Sequence, residues 1–152
     1  IRSLGVKLKL SSTSTIVKNK SIILIDDSLV RGTTCHKIVK MLYESGAKEV
    51  HVRIACPEIK YPDFYGVDMP TKTELLAFKK NNSEMCDYIN AKSLKFLSLN
   101  GLYKALINEK RDNNNPQFSD HYFTGDYPVK PYDNLNGLKI KQLSLLSVRS
   151  NT

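Results

Sequence analysis

The apolar positions of this chain fall in short runs and stripes. The run at 21–26, "SIILID", does not alternate, which predicts a strand buried on both faces. Cys35, Ile38, Val39 and Leu42 follow at i, i+3, i+4 and i+7 and predict a helix over 34–45. Thr33 or Thr34 is placed to cap its start, and Gly46 to end it. "EVHVRIA" at 49–55 predicts a second strand. Strand, helix and strand in this order form a βαβ unit, which implies a parallel sheet with a right-handed crossover. An alternating stretch at 5–10, "GVKLKL", predicts a short strand upstream, joined to the unit by the polar connection "SSTSTIVKNK".

Beyond the second strand comes a long loop, "CPEIKYPDFYGVDMPTK". Helices are expected at 72–79 and 83–89, a third strand at 94–98 and a short helix at 101–108. The composition then shifts to the polar linker "NEKRDNNNPQ", and the remainder of the chain has little periodicity. The expected organisation is therefore α/β: a parallel-sheet domain over 1–107 and an irregular C-terminal extension over 108–152.

Charge adds a partner class. The net charge is +8, and residues 1–20 carry Arg2, Lys7, Lys9, Lys18 and Lys20 with no acid. Such a bias suits an anionic partner. No interleaved aromatics or nucleic-acid motif accompany these lysines, so a phosphorylated small molecule is expected rather than nucleic acid. No apolar run approaches the roughly 20 residues that span a bilayer, so no membrane partner is expected. Cys35, Cys56 and Cys86 are widely and irregularly spaced, which argues against a zinc site or a disulfide framework and suits a reducing, cytoplasmic compartment. The chain opens on Ile1 and runs directly into a strand-like pattern, which reads as part of a longer protein.

The candidate chemistry lies in "IILIDDSLVRGTT", residues 22–34. In open parallel sheets ligands bind at the carboxyl ends of the strands, and Asp26 and Asp27 stand at such an end. The loop from Ser28 to Thr34 feeds a helix N-terminus, which offers unpaired N–H groups and the positive end of the helix dipole to a phosphate. Gly32 permits close backbone approach, Ser28, Thr33 and Thr34 add hydroxyls, and Arg31 adds charge. Two adjacent carboxylates repel, and sugar hydroxyls or a divalent cation relieve them. A sugar 5′-phosphate meets both demands together. A plain strand-to-helix connection is the competing reading of the acid pair alone. A Walker-type loop is excluded, because no GxxxxGK[ST] is present.

This stretch resembles the phosphoribosyl-pyrophosphate (PRPP) motif of type I phosphoribosyltransferases, in the form carried by the amidophosphoribosyltransferase family. "GVKLKL", "ESGAKEVHVRIACPEIKYPDFYGVDMPT", "ELLAF", "SLKFLSLNGL" and "FTGDYP" agree with that family in order and spacing. The resemblance implies a partial type I phosphoribosyltransferase fold. It implies transfer of glutamine-derived ammonia to C1 of PRPP, giving 5-phosphoribosylamine and pyrophosphate, the first step of purine synthesis. By the same resemblance Asp26 and Asp27 hold the ribose hydroxyls and help place Mg²⁺, while Ser28, Leu29, Val30, Arg31, Gly32, Thr33 and Thr34 hold the 5′-phosphate. The family is commonly a homo-oligomer.

Departures from the family pattern carry their own expectations. None of the three cysteines stands as the N-terminal nucleophile of glutamine hydrolysis, so that step is assigned to a missing N-terminal glutaminase half. Where some members carry iron–sulfur ligands, this chain has Asp63, Ser119 and Tyr122, so no iron–sulfur cluster is expected. A PRPP-binding module or gene remnant without turnover is the alternative. A salvage phosphoribosyltransferase is disfavoured by "VRGTT" and "YGVDMPT". Among smaller signals, His36 reads as a solvated side chain and His51 as a packing or edge residue, while His121 has no assigned role. Tyr65 and Asp68 lie on the rim where nucleotide inhibitors bind in the family, with loop packing as the competing role.

Overall fold

The computed structural model describes residues 14–130. The strand expected at 5–10 and the tail beyond 130 lie outside the described residues. Three strands, β1 (Ser21–Asp26), β2 (Glu49–Ile54) and β3 (Ser93–Phe96), form a parallel sheet in the order β1-β2-β3. Ile22 pairs with Val50, and Val52 sits between Leu24 and Leu94. Among the described residues six helices accompany them: α1 (Ser14–Val17), α2 (Thr33–Glu44), α3 (Leu76–Lys79), α4 (Asn82–Tyr88), α5 (Leu99–Ile107) and α6 (His121–Thr124). A 3₁₀ turn at Lys72–Glu74 precedes α3. The α/β parallel architecture expected from the sequence is the one observed.

One face of the sheet makes the core. Val50, Val52, Ile54 and Leu94 are buried against Cys35, Val39 and Leu42 of α2 and Met85 of α4, with Ile22 and Leu24 packed alongside. The expectation that β1 is buried on both faces is corrected. Among the described residues it is an edge strand, and its other face leaves Ile23 65% and Ile25 73% exposed. The apolar run is continuous, but the described helices cover only the side shared with Val50 and Val52.

The start of α2 also differs from expectation. Neither Thr33 nor Thr34 caps it; both lie inside the helix, and the capping position is Gly32 in the left-handed region at φ +76°. Gly46, at φ +93°, ends the helix as expected: its N–H donates to Tyr43 O, and that of Ala47 to Leu42 O. This pair of bonds is a Schellman motif, which satisfies two otherwise orphaned carbonyls. The helix expected over 72–79 divides at Leu75, whose backbone is extended. α4 starts at a reciprocal capping box between Asn81 and Glu84. The short helices α1 and α6 have no counterpart in the periodicity.

Candidate functional site

β1 ends at Asp26, and the chain turns at once over the carboxyl edge of the sheet. The Asp27 N–H donates to Asp26 Oδ1 at 3.1 Å, and the Ser28 N–H donates to Asp27 Oδ1 at 2.8 Å. Each acid thus accepts a hydrogen bond from the next residue's amide, which fixes the turn locally. Asp26 is half-buried and Asp27 exposed. Burial pushes the Asp26 carboxyl above its ordinary range, and the neighbouring Asp27 charge adds to the effect. Removing this acid from water therefore has a cost that a bound cation or hydroxyl donor would offset.

Leu29 then plugs the loop into the core, at 2% exposure. Val30, Arg31 and Gly32 return the chain to the start of α2. A cavity of about 320 Å³ lies over this turn, lined by residues 26 to 35 without interruption. The first turn of any α-helix leaves N–H groups without intrahelical acceptors, and no side chain caps α2. The hydroxyl residues Ser28, Thr33 and Thr34, the start of α2 and the two acids therefore line one cavity. The structure brings together every residue that the sequence singles out here.

Arg31 departs from expectation. Its Nε and Nη2 donate to Glu74 Oε1 at 3.3 and 3.1 Å, so its charge is answered by a protein carboxylate. Glu74 carried no signal in the periodicity, although its place three residues after Thr71 fits a capping box, which the structure forms.

Burial pushes the Cys35 and Cys56 thiols up to about 11, and the Asp26 and Asp27 charges reinforce the effect. His36 is part-exposed, and its Nδ1 lies 2.9 Å from the Tyr88 carbonyl oxygen. His51 sits on the open face of the sheet against Ser93 Oγ and Glu49. Among the described residues no group of three or more His, Cys, Asp or Glu side chains converges as a metal site.

A second polar centre lies away from the cavity. Asp63, with its side chain 1% exposed, accepts from the Tyr65 and Val67 amides, the Tyr122 hydroxyl and His121 Nε2, all within 3.0 Å. His121 Nδ1 lies 3.0 Å from Ser119 Oγ. One neutral tautomer satisfies both histidine contacts, with Nε2–H donating and Nδ1 accepting. Burial opposes the Asp63 charge, but the Val67 and Tyr65 amides and the His121 and Tyr122 donors outweigh it and hold the carboxyl down at about 2. Ser119 is therefore joined to Asp63 through His121, and Tyr122 bonds to Asp63 directly. Tyr65 exchanges two hydrogen bonds with the Val129 backbone and stacks edge-on against His121. Its ring and hydroxyl serve loop packing. Asp68 is exposed.

Comparison with known proteins supports the fold. No protein-family model matches the chain. An amidophosphoribosyltransferase of Rhizobium etli is 51% identical over 148 residues, covering 97% of this chain and 30% of that protein. One from Staphylococcus aureus is 50% identical over 133 residues, covering 88% and 27%. The glutamine PRPP amidotransferase of B. subtilis, solved in complex with ADP and GMP, superposes with a TM-score of 0.76 at 43% identity over 88% of this chain and 29% of that one. The chain thus spans under a third of the length of these relatives and matches their C-terminal part. Identity near one half across almost all of its residues, together with the shared parallel fold, makes this chain a homologue of the amidophosphoribosyltransferases.

Proposed function

We propose that this chain carries the PRPP-binding strand, loop and helix of an amidophosphoribosyltransferase. The observation that carries the reading is the turn itself: an acid pair ends a parallel strand, and a short loop leads to an uncapped helix, Thr33–Glu44, that begins behind left-handed Gly32. Asp26 and Asp27 are assigned to the ribose hydroxyls. The amides and hydroxyls from Ser28 to Thr34 are assigned to the 5′-phosphate.

The donor set tests whether Mg²⁺ fits. Mg²⁺ is commonly held by one or two carboxylates plus substrate phosphates. The chain offers one such pair, Asp26 and Asp27, so it fits a cation whose remaining oxygens come from the substrate. Bound there, Mg²⁺ would neutralise charge on the departing pyrophosphate. The protein's own contribution is placement. Gripping the sugar at both ends fixes C1 for attack, and the carboxylates favour the positive charge that grows on the ring as pyrophosphate leaves. Ammonia attacks C1 directly, so no protein nucleophile is required. Burial that pushes the Cys35 and Cys56 thiols up to about 11 suits that assignment, because it disfavours the thiolate. The glutaminase step belongs to a separate N-terminal half. Binding of PRPP without turnover is the reading for the chain by itself.

Calorimetric titration of PRPP with Mg²⁺ into the wild type and an Asp26→Asn/Asp27→Asn double variant tests the assignment. The double variant should bind at least about tenfold more weakly, since two charge-assisted contacts are lost. Equal affinity in both would remove the carboxylates from the site.

A further inference from the structure

Three consecutive residues of the phosphate loop grip one segment of the chain. The Val30 carbonyl accepts from the Leu76 N–H at 2.8 Å. Arg31 donates twice to Glu74 Oε1. Gly32 backs onto Leu76 and Tyr88 so closely that an added Cβ would lie 2.7 Å from Leu76 Cδ2. Glu74 is engaged on its other side too, because its Oε2 accepts from the Thr71 N–H and the Thr71 hydroxyl, each at 3.0 Å. Both carboxylate oxygens are thus occupied, one by the loop and one by the 3₁₀ turn.

We infer that Glu74 is a positioning residue for phosphate binding: it holds Arg31 as a strut, which keeps the loop in the shape that turns its amides toward the cavity. The inference rests on the PRPP reading above. Leu29 anchors one point of the loop in the core, but the stretch from Val30 to Gly32 takes its shape from what it is docked against. The guanidinium points its paired donors at Glu74. Affinity for the anion then comes from amides and hydroxyls, and Arg31 contributes by holding the loop still. Exposed ion pairs add little to global stability. The consequence of losing this one should therefore appear in ligand affinity, through the ordering of the loop that binding must then supply.

The rival role for Arg31 is direct counter-charge to the phosphate. The two roles predict opposite signs for Glu74. If Glu74 supports a strut, removing it weakens binding. If Glu74 competes with the phosphate for Arg31, removing it strengthens binding. The experiment titrates ribose 5-phosphate, and PRPP with Mg²⁺, into the whole 152-residue chain as wild type, Glu74→Ala, Glu74→Asp, Arg31→Ala and the Arg31→Ala/Glu74→Ala double variant. Thermal midpoints are recorded in parallel. Each alanine variant should bind both ligands about three- to fivefold more weakly, the double variant no worse than either single, and Glu74→Asp should recover part of the loss. Midpoints should barely move, whereas a purely structural role would lower them and leave affinity alone. Tighter or unchanged binding by Glu74→Ala, or additive losses in the double variant, overturns the strut while leaving the PRPP reading in place. A wild type that binds neither ligand overturns the PRPP reading, and the strut falls with it.

Discussion

Around the sheet the fully buried side chains include Val39, Val50, Val52 and Ile89, all apolar, whereas between Arg111 and Asp126 the buried groups are polar or charged. Arg111 is 7% exposed and donates to Asp120, itself 4% exposed, at 2.6 Å. Asp120 also accepts from the Tyr103 hydroxyl at 2.8 Å and the Thr124 hydroxyl at 3.1 Å. Close by in sequence, His121 joins Asp63, so the segment after α5 is bound to α5 and to the loop after β2 through polar contacts. Apolar layers tolerate small repacking, because burial is proportional to area and non-directional. A buried charge network does not, because each member left alone keeps its desolvation cost without its partner.

The largest expected effect breaks that network. Asp120→Asn keeps the size of the side chain but leaves Arg111 buried with only Asp126 as its anionic partner. It should destabilise the protein by about 3 kcal/mol, measured as a shift in the urea midpoint at unchanged slope. A loss under about 1 kcal/mol would place the pair with exposed ion pairs and dissolve the contrast between the two regions.

A somewhat smaller effect is expected in the loop between β1 and α2. Gly32→Ala demands the left-handed region of a residue with a Cβ, and that atom would lie 2.7 Å from Leu76 and 3.0 Å from Tyr88. A cost of about 2 kcal/mol arises from the two strains together. PRPP binding should fall as well, because relief of the clash moves the loop off Leu76. If the variant melts like the wild type and binds PRPP equally, the loop is not docked as described.

The difference between the regions also decides what the sequence makes legible. β1, α2, β2 and β3 are set by apolar periodicity, because that pattern is what a sheet covered by helices imposes. The candidate site was legible from the same unit: a parallel strand that ends in two acids and a loop must place them at the carboxyl edge of the sheet. Covering of β1 was not legible, since "IILI" reads alike whether one face or two is filled. The polar staples were hidden as well. Asp63 and His121 are 58 residues apart, and Arg111 lies in a run of charged and amide residues that resembles a solvated linker. Burial of such groups depends on partners that periodicity does not encode. For Glu74 the capping-box spacing was visible, but its pairing with Arg31 across 43 residues was not.

Acid separates the two regions most gently, and in opposite directions. Asp63 is held at about 2 by its four donors, below the ordinary 3.8 of an unfolded aspartate. A lowered carboxyl contributes stability that is present above the unfolded value and lost as pH falls toward the folded one. Docking of the segment around His121 should therefore weaken between about pH 4 and pH 2, and Asp120, also lowered, acts in the same sense. Asp26 is raised, chiefly by burial. Its ionised form opposes folding, and that cost is relieved as pH falls below its raised value, before the unfolded group begins to protonate. Backbone amide spectra recorded from about pH 6 to about pH 2 should show residues 119–127 losing their dispersed signals while Val50, Val52 and Leu94 keep theirs. In Asp63→Asn the segment should already be undocked at about pH 6, with the sheet signals in place. Simultaneous loss of both sets would mean that the charged segment and the apolar core form one cooperative unit, and that the polar staple has no separate stability to lose.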